Sequence, residues 1–292
     1  QRSPSHYSPR NPVHAPIEQL QHFADLVASG EAVDPDLADA LAHGTPLGGA
    51  RPKALIHDNG VAKLAKFSKS TETFLWVQSE YVAMTLARRV GINAAAADYL
   101  ETAGRSTLLV DRFDRHPNGT RQRVVSAATI LGMQSMIAAR HFSYIALADD
   151  IRARFVNPAD TLRELYGRIV FNILVGNTDD HARNHAAFIL SDNLLDLTPA
   201  YDIAPQPRTG GAATHPRFGP ADDGRDSRIS AVLKAAPVYL LSEADARDII
   251  ESQRTIIERD WDEVCDAAHL TKAQRDTLRD GGPILHPAID YN

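Results

Sequence analysis

Cysteine is nearly absent from this 292-residue sequence, in which Cys265 is the only one. A single thiol cannot form an internal disulfide, so a disulfide-stapled secreted scaffold is excluded and a reducing compartment is expected. No apolar run approaches the roughly 18 residues that a membrane-spanning helix needs, and no signal peptide is visible. We therefore expect a cytoplasmic protein with no membrane partner.

Basic residues are also scarce relative to acidic ones. The 31 Lys and Arg residues against 37 Asp and Glu residues give a formal net charge of −6. The bulk surface is therefore not suited to nucleic acid by itself, although a local basic patch is still allowed. With 43% apolar and 23% charged residues, the composition is typical of a soluble globular protein. The length suits one two-lobed enzyme or two modest domains.

The most informative stretch is residues 176–185, Gly-Asn-Thr-Asp-Asp-His-Ala-Arg-Asn-His. Asp179 and Asn184 have the Asp-x-x-x-x-Asn spacing of a kinase catalytic loop, where Asp accepts the hydroxyl proton and Asn binds Mg²⁺. Asp202 follows a short apolar run, in the place of the second metal ligand. Such groups suit phosphoryl transfer because its transition state is mostly charge. The spacing alone also fits an ordinary turn, where Asp and Asn are common.

A glycine pair precedes the first apolar run of the chain. Gly48 and Gly49 suit a tight loop, and Lys53 adds positive charge, so the segment is either a phosphate-binding loop or a plain helix-to-strand turn. The spacing of a Walker A motif is absent. Residues 61–67 then predict a strand, whose alternation puts Lys66 on the face opposite Ala65 and Phe67.

Lys66 has two interpretations. It is either a solvated surface residue or the strand lysine that pairs with nucleotide phosphates. Residues 80–90 have a helical pattern, so Glu80 is either the partner of Lys66 or a charge suited to the helix dipole. Two more strands, over 97–101 and 107–113, complete a small antiparallel sheet whose last strand leads away from it.

Helical patterns dominate after residue 122. The strongest, over 159–177, has apolar residues at helical spacing and leads directly to Asp179. A hairpin over 186–197 should bring Asp179 and Asp202 to the same side. Residues 205–228, rich in Gly, Pro, Asp and Arg, predict a long mobile loop beside the site. Further on, Ser242 and Thr271 are expected to cap the last helices.

These segments together resemble the HipA family of serine/threonine kinase toxins from bacterial toxin–antitoxin pairs. The resemblance covers about residues 44–265. It is carried by Leu-Gly-Gly-Ala-Arg-Pro-Lys at 47–53, Leu-Ala-Lys-Phe at 64–67, Val-Asp-Arg-Phe-Asp-Arg at 110–115, residues 171–185, and Leu-Thr-Pro-Ala-Tyr-Asp-Ile-Ala at 197–204.

The resemblance implies an α+β, two-lobed protein-kinase-like fold, with a small antiparallel-sheet N-lobe over 44–121 and a mainly helical C-lobe over 122–292. It implies use of ATP and Mg²⁺, with Asp179 as catalytic base and Asn184 and Asp202 as metal ligands. Asp111 and Phe113 fall in the hinge that binds adenine. The expected nucleotide-binding residues are Gly48, Gly49, Lys53, Lys66, Asp111, Phe113 and His181.

Relatives in this family phosphorylate aminoacyl-tRNA synthetases, which inhibits translation. They are neutralised by HipB, a helix-turn-helix antitoxin, so DNA is expected as a partner only through the antitoxin. In relatives a serine before the glycine-rich loop is autophosphorylated, which switches the kinase off. Pro46 occupies that position here, so the switch is expected to be lost or moved to Thr45. Residues 1–43 hold only a tail and short helices in place of an N-terminal subdomain, which indicates a truncated member or a fragment.

Two other functions fit parts of the sequence. His181 and His185 are four apart and could form a metal site with Asp179 and Asp202, although the Glu of a His-Glu-x-x-His motif is absent. Histidines near an acidic loop more often orient it by hydrogen bonds. The other alternative is a catalytically silent kinase fold that serves as a binding module for an antitoxin–DNA complex. Turnover of ATP separates these alternatives.

Overall fold

The computed structural model describes residues 17–29, 53–58, 60–69, 72–102, 104–116, 118–208 and 213–290. Within this part of the chain, a four-stranded antiparallel sheet comes first. Its strands are β1 (Lys53–Asp58), β2 (Val61–Phe67), β3 (Ala97–Thr102) and β4 (Arg105–Asp111), in the order β1-β2-β4-β3. Gly48, Gly49, Thr45 and Pro46, and the helix expected near residues 35–42, lie outside the described residues.

Helices cover both faces of this sheet. Helix α1 (Ile17–Ser29) packs on one face, where Leu20 joins Ala65 and Phe67 in a small apolar cluster. Helix α2 (Trp76–Arg89) packs on the other face against β3 and β4. Because side chains alternate along a strand, Lys66 lies on the α2 face, opposite Ala65 and Phe67. The face predicted for Lys66 is therefore confirmed, while its side chain is buried rather than solvated.

The rest of the described chain is mainly helical and contains a second, three-stranded antiparallel sheet. That sheet has the order β5-β6-β7, formed by Val124–Ser126, Ala186–Ile189 and Leu195–Leu197. The helices are α3 (Ala127–Ile130), α4 (Met136–Arg140), α5 (Tyr144–Arg154), α6 (Pro158–Val175), α7 (Ile229–Ala235), α8 (Glu243–Ala267) and α9 (Lys272–Arg279). Short 3₁₀ helices cover Ser191–Asn193, Ala236–Tyr239 and Pro287–Asp290.

Helix α6 is the buried centre of the larger lobe. Pro158 lies in its first turn, where the missing N–H costs nothing, and apolar residues from Leu162 to Val175 are buried. The helix ends at Gly176, which is left-handed with φ 67°. A Cβ at this position would approach the carbonyl oxygen of Pro283 to 2.6 Å, so both conformation and space require glycine. The end of α6 therefore has a fixed direction, and the residues that follow it are Asn177 to His185.

The two lobes share one apolar core. Val82 of α2, Ile169 of α6 and Ile257 of α8 belong to the same buried cluster. At the surface, Arg89 of α2 donates two hydrogen bonds to Glu263 of α8, at 2.8 and 2.6 Å. The helix that covers the small sheet is thus joined to the larger lobe as well.

Two elements differ from the sequence-based expectation. Helix α2 begins at Trp76, so Glu80 lies in its second turn and does not cap it. The segment expected to be a long mobile loop is packed over residues 213–228: His215, Phe218 and Ser227 are buried, and Phe218 N–H donates to the Gly224 carbonyl at 2.9 Å. Local hydrogen bonds and these three buried side chains outweigh its polar composition. In the part of the chain described here, no helix is both long enough and apolar enough to cross a membrane.

Candidate active site

A cleft lies between the four-stranded sheet and the helical lobe. Its cavity volume is about 240 Å³, slightly below the roughly 300–1,000 Å³ typical of small-molecule sites, and it opens to solvent on one side. The lining combines apolar residues with charged ones. Its residues are Lys53, Leu64, Lys66, Val110, Asp111, Arg112, Phe113, Asp114, Val124, Arg183, Tyr201 and Asp202. An apolar wall with convergent charges suits a flat ring attached to an anionic group.

Lys66 joins the sheet, helix α2 and the larger lobe. Its Nζ lies 2.5 Å from Glu80 Oε1 and 2.5 Å from Asp202 Oδ1. Burial lowers the pKa of Lys66, but attraction to Asp202 and Glu80 outweighs it and raises the pKa above its usual value. The ammonium is therefore charged, and of the two roles considered for Glu80 the structure supports partner of Lys66.

Asp202, the partner of Lys66 from the larger lobe, has an uncommon backbone conformation. Its φ is 60°, a left-handed value that few residues other than glycine adopt. The charge of Lys66 is the main reason that the pKa of Asp202 lies below its usual value, and Lys53 and His181 act in the same direction. The neighbouring Tyr201 hydroxyl donates to the Arg183 carbonyl at 2.7 Å. Asp202 is thus ionised and tied through Tyr201 to the loop that carries Asn184.

The loop after α6 presents two consecutive carboxylates in opposite directions. Asp179 is exposed, whereas Asp180 is buried. Oδ2 of Asp180 accepts hydrogen bonds from the Tyr144 hydroxyl, from Asn172 Nδ2 at 3.2 Å and from His185 Nε2 at 2.8 Å. Burial raises the pKa of Asp180, but the interactions with His185 outweigh it, so the pKa is below the usual value. Asp180 is therefore an ionised carboxylate inside the lobe.

Asn184 and His181 lie beside this buried group. Asn184 is buried, and its side chain makes no hydrogen bond to another residue in the described part of the chain. Its backbone N–H donates to the His181 carbonyl at 2.9 Å. His181 Nδ1 is buried and lacks a hydrogen-bond partner among the described residues. The amide oxygen of Asn184 is thus available to a ligand.

These elements are similar in sequence to a known family. The HipA-like C-terminal domain family matches residues 45–261, more than half of the chain. The chain belongs to this family. A serine/threonine-protein kinase toxin HipA from Shewanella oneidensis is 30% identical over 145 residues, which cover 44% of this chain and 33% of the relative. A protein named as a kinase, Y4mE of Sinorhizobium fredii, is 24% identical over 147 residues, covering 48% of this chain and 33% of its own length.

The same fold appears among solved structures. A complex of the Shewanella oneidensis HipA, HipB and operator DNA contains a chain that matches with a TM-score of 0.56 and 18% identity. The match covers 78% of this chain and 64% of that one. The predicted α+β, two-lobed kinase-like fold is therefore confirmed. This HipA-like chain aligns with only about a third of the length of the curated relatives.

The structure brings several of the predicted nucleotide-binding residues of this HipA-like chain into one cleft. Lys53, Lys66, Asp111 and Phe113 all line it, together with Asp202, which was predicted as a metal ligand. Asp111 ends β4, and its Oδ1 lies 3.2 Å from Lys63 Nζ on the neighbouring strand. Phe113 packs against Tyr201 and Phe188, with ring centroids 5.7 and 5.8 Å apart. His181 is not among the lining residues, and Gly48 and Gly49 lie outside the described part of the chain.

The alternative metal site of two histidines is not supported. His185 is buried and bonded through Nε2 to Asp180, so it does not share a site with His181. Among the described residues, no three His, Cys, Asp or Glu side chains are grouped in a way that could hold a metal ion. Asp202 and Asn184 instead offer two oxygen ligands, the set that Mg²⁺ uses when phosphates and water complete its shell.

Sequence reasoning missed the buried residues that anchor the loop after α6 to the interior of the larger lobe. Asp180, Tyr144 and Asn172 were not singled out, because their contacts join a loop to two different helices. The only local signal was the pair of adjacent aspartates in Thr-Asp-Asp-His at 178–181. Neighbouring side chains outside a helix point in different directions, so two adjacent carboxylates are expected to have different surroundings. Tyr201 was also missed as a link between Asp202 and the loop.

Proposed function

We propose that this HipA-like chain is a kinase that transfers the γ-phosphoryl group of ATP to a serine or threonine hydroxyl of a protein. One observation carries the proposal: Lys66 contacts Glu80 and Asp202 together, in the cleft between the small sheet and the helical lobe. A buried lysine held by two carboxylates in this way provides a fixed positive charge for phosphate oxygens. The same arrangement connects both lobes to the reacting end of the cleft.

The individual roles follow from the surroundings of each side chain. Leu64, Val110 and Phe113 supply apolar contacts for the base of the nucleotide. Lys53 and Lys66 supply positive charge where its phosphates would lie, because both line the cleft near Asp202. Asp179, exposed on the loop after α6, accepts the proton of the acceptor hydroxyl. His181 lies between Asp179 and Asn184 in the same loop and is proposed as a further nucleotide-binding residue.

The oxygen ligands of Asp202 and Asn184 suit Mg²⁺ brought in with the nucleotide. Asp202 is ionised, and the Asn184 side chain makes no hydrogen bond within the described chain that a metal would have to break. Mg²⁺ bound by these residues would neutralise charge on the phosphates during transfer. Before the metal binds, Lys66 keeps Asp202 deprotonated and holds its carboxylate at the cleft.

The substrate and partner are proposed from the family. The acceptor is a serine or threonine of an aminoacyl-tRNA synthetase, whose phosphorylation would inhibit translation in the cytoplasm. The partner is a HipB-like helix-turn-helix antitoxin that brings DNA with it, which the HipA–HipB–operator complex of the relative supports. The limits at residues 43/44 and 121/122 and a regulatory role of Thr45 are part of the same proposal.

The first experiment is transfer of labelled phosphate from ATP into bacterial lysate proteins, with Mg²⁺ present or removed. Asp179→Asn keeps the shape of the side chain but cannot accept the proton. We expect labelling of the main band to fall about 10²- to 10⁴-fold, with nucleotide affinity nearly unchanged. Asp262→Asn, on the exposed face of α8, is the matched control and should keep full labelling.

Two results would contradict the proposal in different ways. Wild-type turnover in Asp179→Asn would remove Asp179 from its role. Tight ATP binding without any labelling by the wild type would favour a silent kinase fold that acts as a binding module. Asp202→Ala separates the metal role from the others, since it should weaken nucleotide binding only when Mg²⁺ is present.

A further inference from the structure

Two pairs of side chains are interleaved in the loop after α6. Asp179 and Asn184 form the first pair, and Asp180 and His185 form the second, displaced by one residue along the chain. Both pairs have the same spacing. The members of the second pair are joined to each other, since His185 Nε2 lies 2.8 Å from Asp180 Oδ2. A bond that closes residues 180–185 also fixes how far residue 179 is from residue 184.

Asp180 is anchored to two helices of the larger lobe. The Tyr144 hydroxyl at the start of α5 and Asn172 Nδ2 near the end of α6 donate to the same oxygen that His185 uses. Asn172 also accepts from Asn177 Nδ2 at 3.0 Å, which extends the network to the first residue of the loop. Because the carboxylate accepts every one of these bonds, Nε2 of His185 must carry its proton.

Backbone hydrogen bonds hold the same loop from outside the network. Ala182 N–H donates to the Ala139 carbonyl at 3.1 Å, and the Ala182 carbonyl accepts from Ala128 at 2.9 Å. The His185 carbonyl accepts from Ala127 N–H at 2.8 Å. The middle and the end of the loop are therefore fixed by main-chain contacts. At Asp180 the side chain supplies the contact with the lobe, through its hydrogen bonds with Tyr144, Asn172 and His185.

We propose that Asp180 and His185 are positioning residues that set the distance and direction between Asp179 and Asn184. This inference rests on the proposed kinase function and deepens it. Asp179 and Asn184 touch the reactants, and the Asp180–His185 bond holds them in register from the interior. Small displacements of such groups lower turnover strongly, by about 100-fold for an error of about 1 Å.

The informative substitutions are at His185, because removing Asp180 would take the acceptor away from the buried Tyr144 hydroxyl and His185 Nε2 and could unfold the chain. His185→Gln retains an N–H donor near the position of Nε2. His185→Phe removes the donor but keeps a ring between Phe142 and Tyr144, whose centroids lie 5.7 and 5.4 Å from that of His185. Tyr166→Phe is the matched control, because it deletes a different buried hydrogen bond, to the Val232 carbonyl at 3.1 Å.

We expect His185→Phe to lower kcat about 10- to 100-fold, with KM for ATP changed little, and His185→Gln to recover most of the loss. Tyr166→Phe should lose thermal stability without this loss of kcat. If His185→Phe retains wild-type kcat, or if kcat follows thermal stability alike in all three variants, the positioning role is wrong.

A second measurement keeps this inference separate from the proposed function. Amide hydrogen exchange of residues 179–184 should become about tenfold faster in His185→Phe and stay near wild type in His185→Gln. That readout requires no phosphoryl transfer. An inactive wild type with this exchange pattern would refute the kinase function but keep the loop-setting role of the pair. Unchanged exchange in His185→Phe would refute the pair's role even in an active kinase.

Discussion

His215 is an imidazole in the interior whose charge state is set by burial. Its Nε2 lies 3.1 Å from the Ser227 hydroxyl, and its backbone N–H donates to the Arg225 carbonyl at 2.8 Å. Burial lowers the pKa of His215 to about 4, with Asp180 opposing the shift and Arg208 reinforcing it. His215 is therefore still neutral in the folded protein at the pH where it begins to take up a proton in the unfolded chain.

This shift predicts a loss of stability in mild acid. The unfolded chain gains a proton on His215 as the pH falls below about 6.5, whereas the folded chain gains it only near the folded pKa of about 4. The unfolded state is favoured across that interval, so the folded state should lose about 2 kcal/mol between pH 7.5 and 5 from this residue. Above pH 7.5 it should contribute no pH dependence.

Urea unfolding of the wild type and His215→Gln at a series of pH values checks this prediction. Carboxylates contribute to acid sensitivity in both proteins, so the informative quantity is the difference between the two curves. The free energy of unfolding of the wild type minus that of His215→Gln should be constant above pH 7 and should fall as the pH is lowered toward 5. Parallel curves throughout would mean that His215 takes up its proton over the same pH range in the folded and unfolded chains.

At the residue scale, the sequence could predict contacts that follow from a repeating pattern and could not predict those that depend on three-dimensional packing. Strand alternation placed Lys66 on the correct face of β2, and its position before a helix suggested Glu80 as partner. The adjacent acids at 179 and 180 did not show which carboxylate points inward, or that Tyr144 would contact it. That contact exists because α5 and α6 pack side by side, which is a property of the assembled lobe.

Gly176 is the residue on which the end of helix α6 depends. Replacing it by alanine forces an L-residue into a left-handed conformation, at about 1–2 kcal/mol. The added Cβ would also approach the Pro283 carbonyl to 2.6 Å, and a backbone group can move only with its segment. We expect Gly176→Ala to lower the free energy of unfolding by more than about 2 kcal/mol and to reduce activity, since Asp179 follows three residues later.

The chain offers a matched control for this substitution. Gly132 has a φ of 66°, almost the same as Gly176, but a Cβ there meets nothing within 4 Å. Gly132→Ala therefore reports the conformational cost alone, and the difference between the variants measures the clash. Equal losses in chemical denaturation would show that the contact with Pro283 is relieved without cost.

At the scale of helices and strands, local patterns were the most dependable guide. The helix ending before Asp179 was predicted from its apolar period, and Ser242 and Thr271 cap α8 and α9 through capping boxes as expected. The start of α2 was placed four residues late because no side chain caps it at Leu75. Residues 213–228 were expected to be mobile because composition does not reveal that Phe218 is buried.

At the scale of the whole molecule, helix α2 acts as a connection between the lobes. Arg89 contacts Glu263 through two hydrogen bonds and lies 3.3 Å from Asp260, both on α8. Glu263 is largely exposed, so solvent screens the pair and its contribution should be small. A bidentate geometry nevertheless makes it one of the better surface pairs.

We predict a coupling free energy of about 0.5–1 kcal/mol between Arg89 and Glu263. Arg89→Gln, Glu263→Gln and the double variant form the cycle, measured by thermal unfolding at low salt. The coupling should fall when salt is raised. Strictly additive effects at low salt would mean that the Arg89–Glu263 pair contributes nothing to joining the two helices.

The two-lobed arrangement could be predicted from the sequence, but the boundaries between its parts could not be established. The resemblance of separate short motifs indicated a two-lobed fold, and the family match and the solved HipA chain confirm it. The limits at 43/44 and 121/122 stay a prediction, because one apolar cluster runs through α2, α6 and α8 and gives no break at which to divide the chain. Where lobes share a core, the sequence has no polar linker to mark a boundary.

The contact of Gly176 with Pro283 has a consequence for how this family can vary. Two positions more than a hundred residues apart share one small space, so neither can change freely while the other is kept. Relatives that enlarge the side chain at position 176 should have displaced the segment that carries position 283. Sequence variation around position 283 is therefore limited by the backbone at position 176, where helix α6 ends and the loop with Asp179 begins.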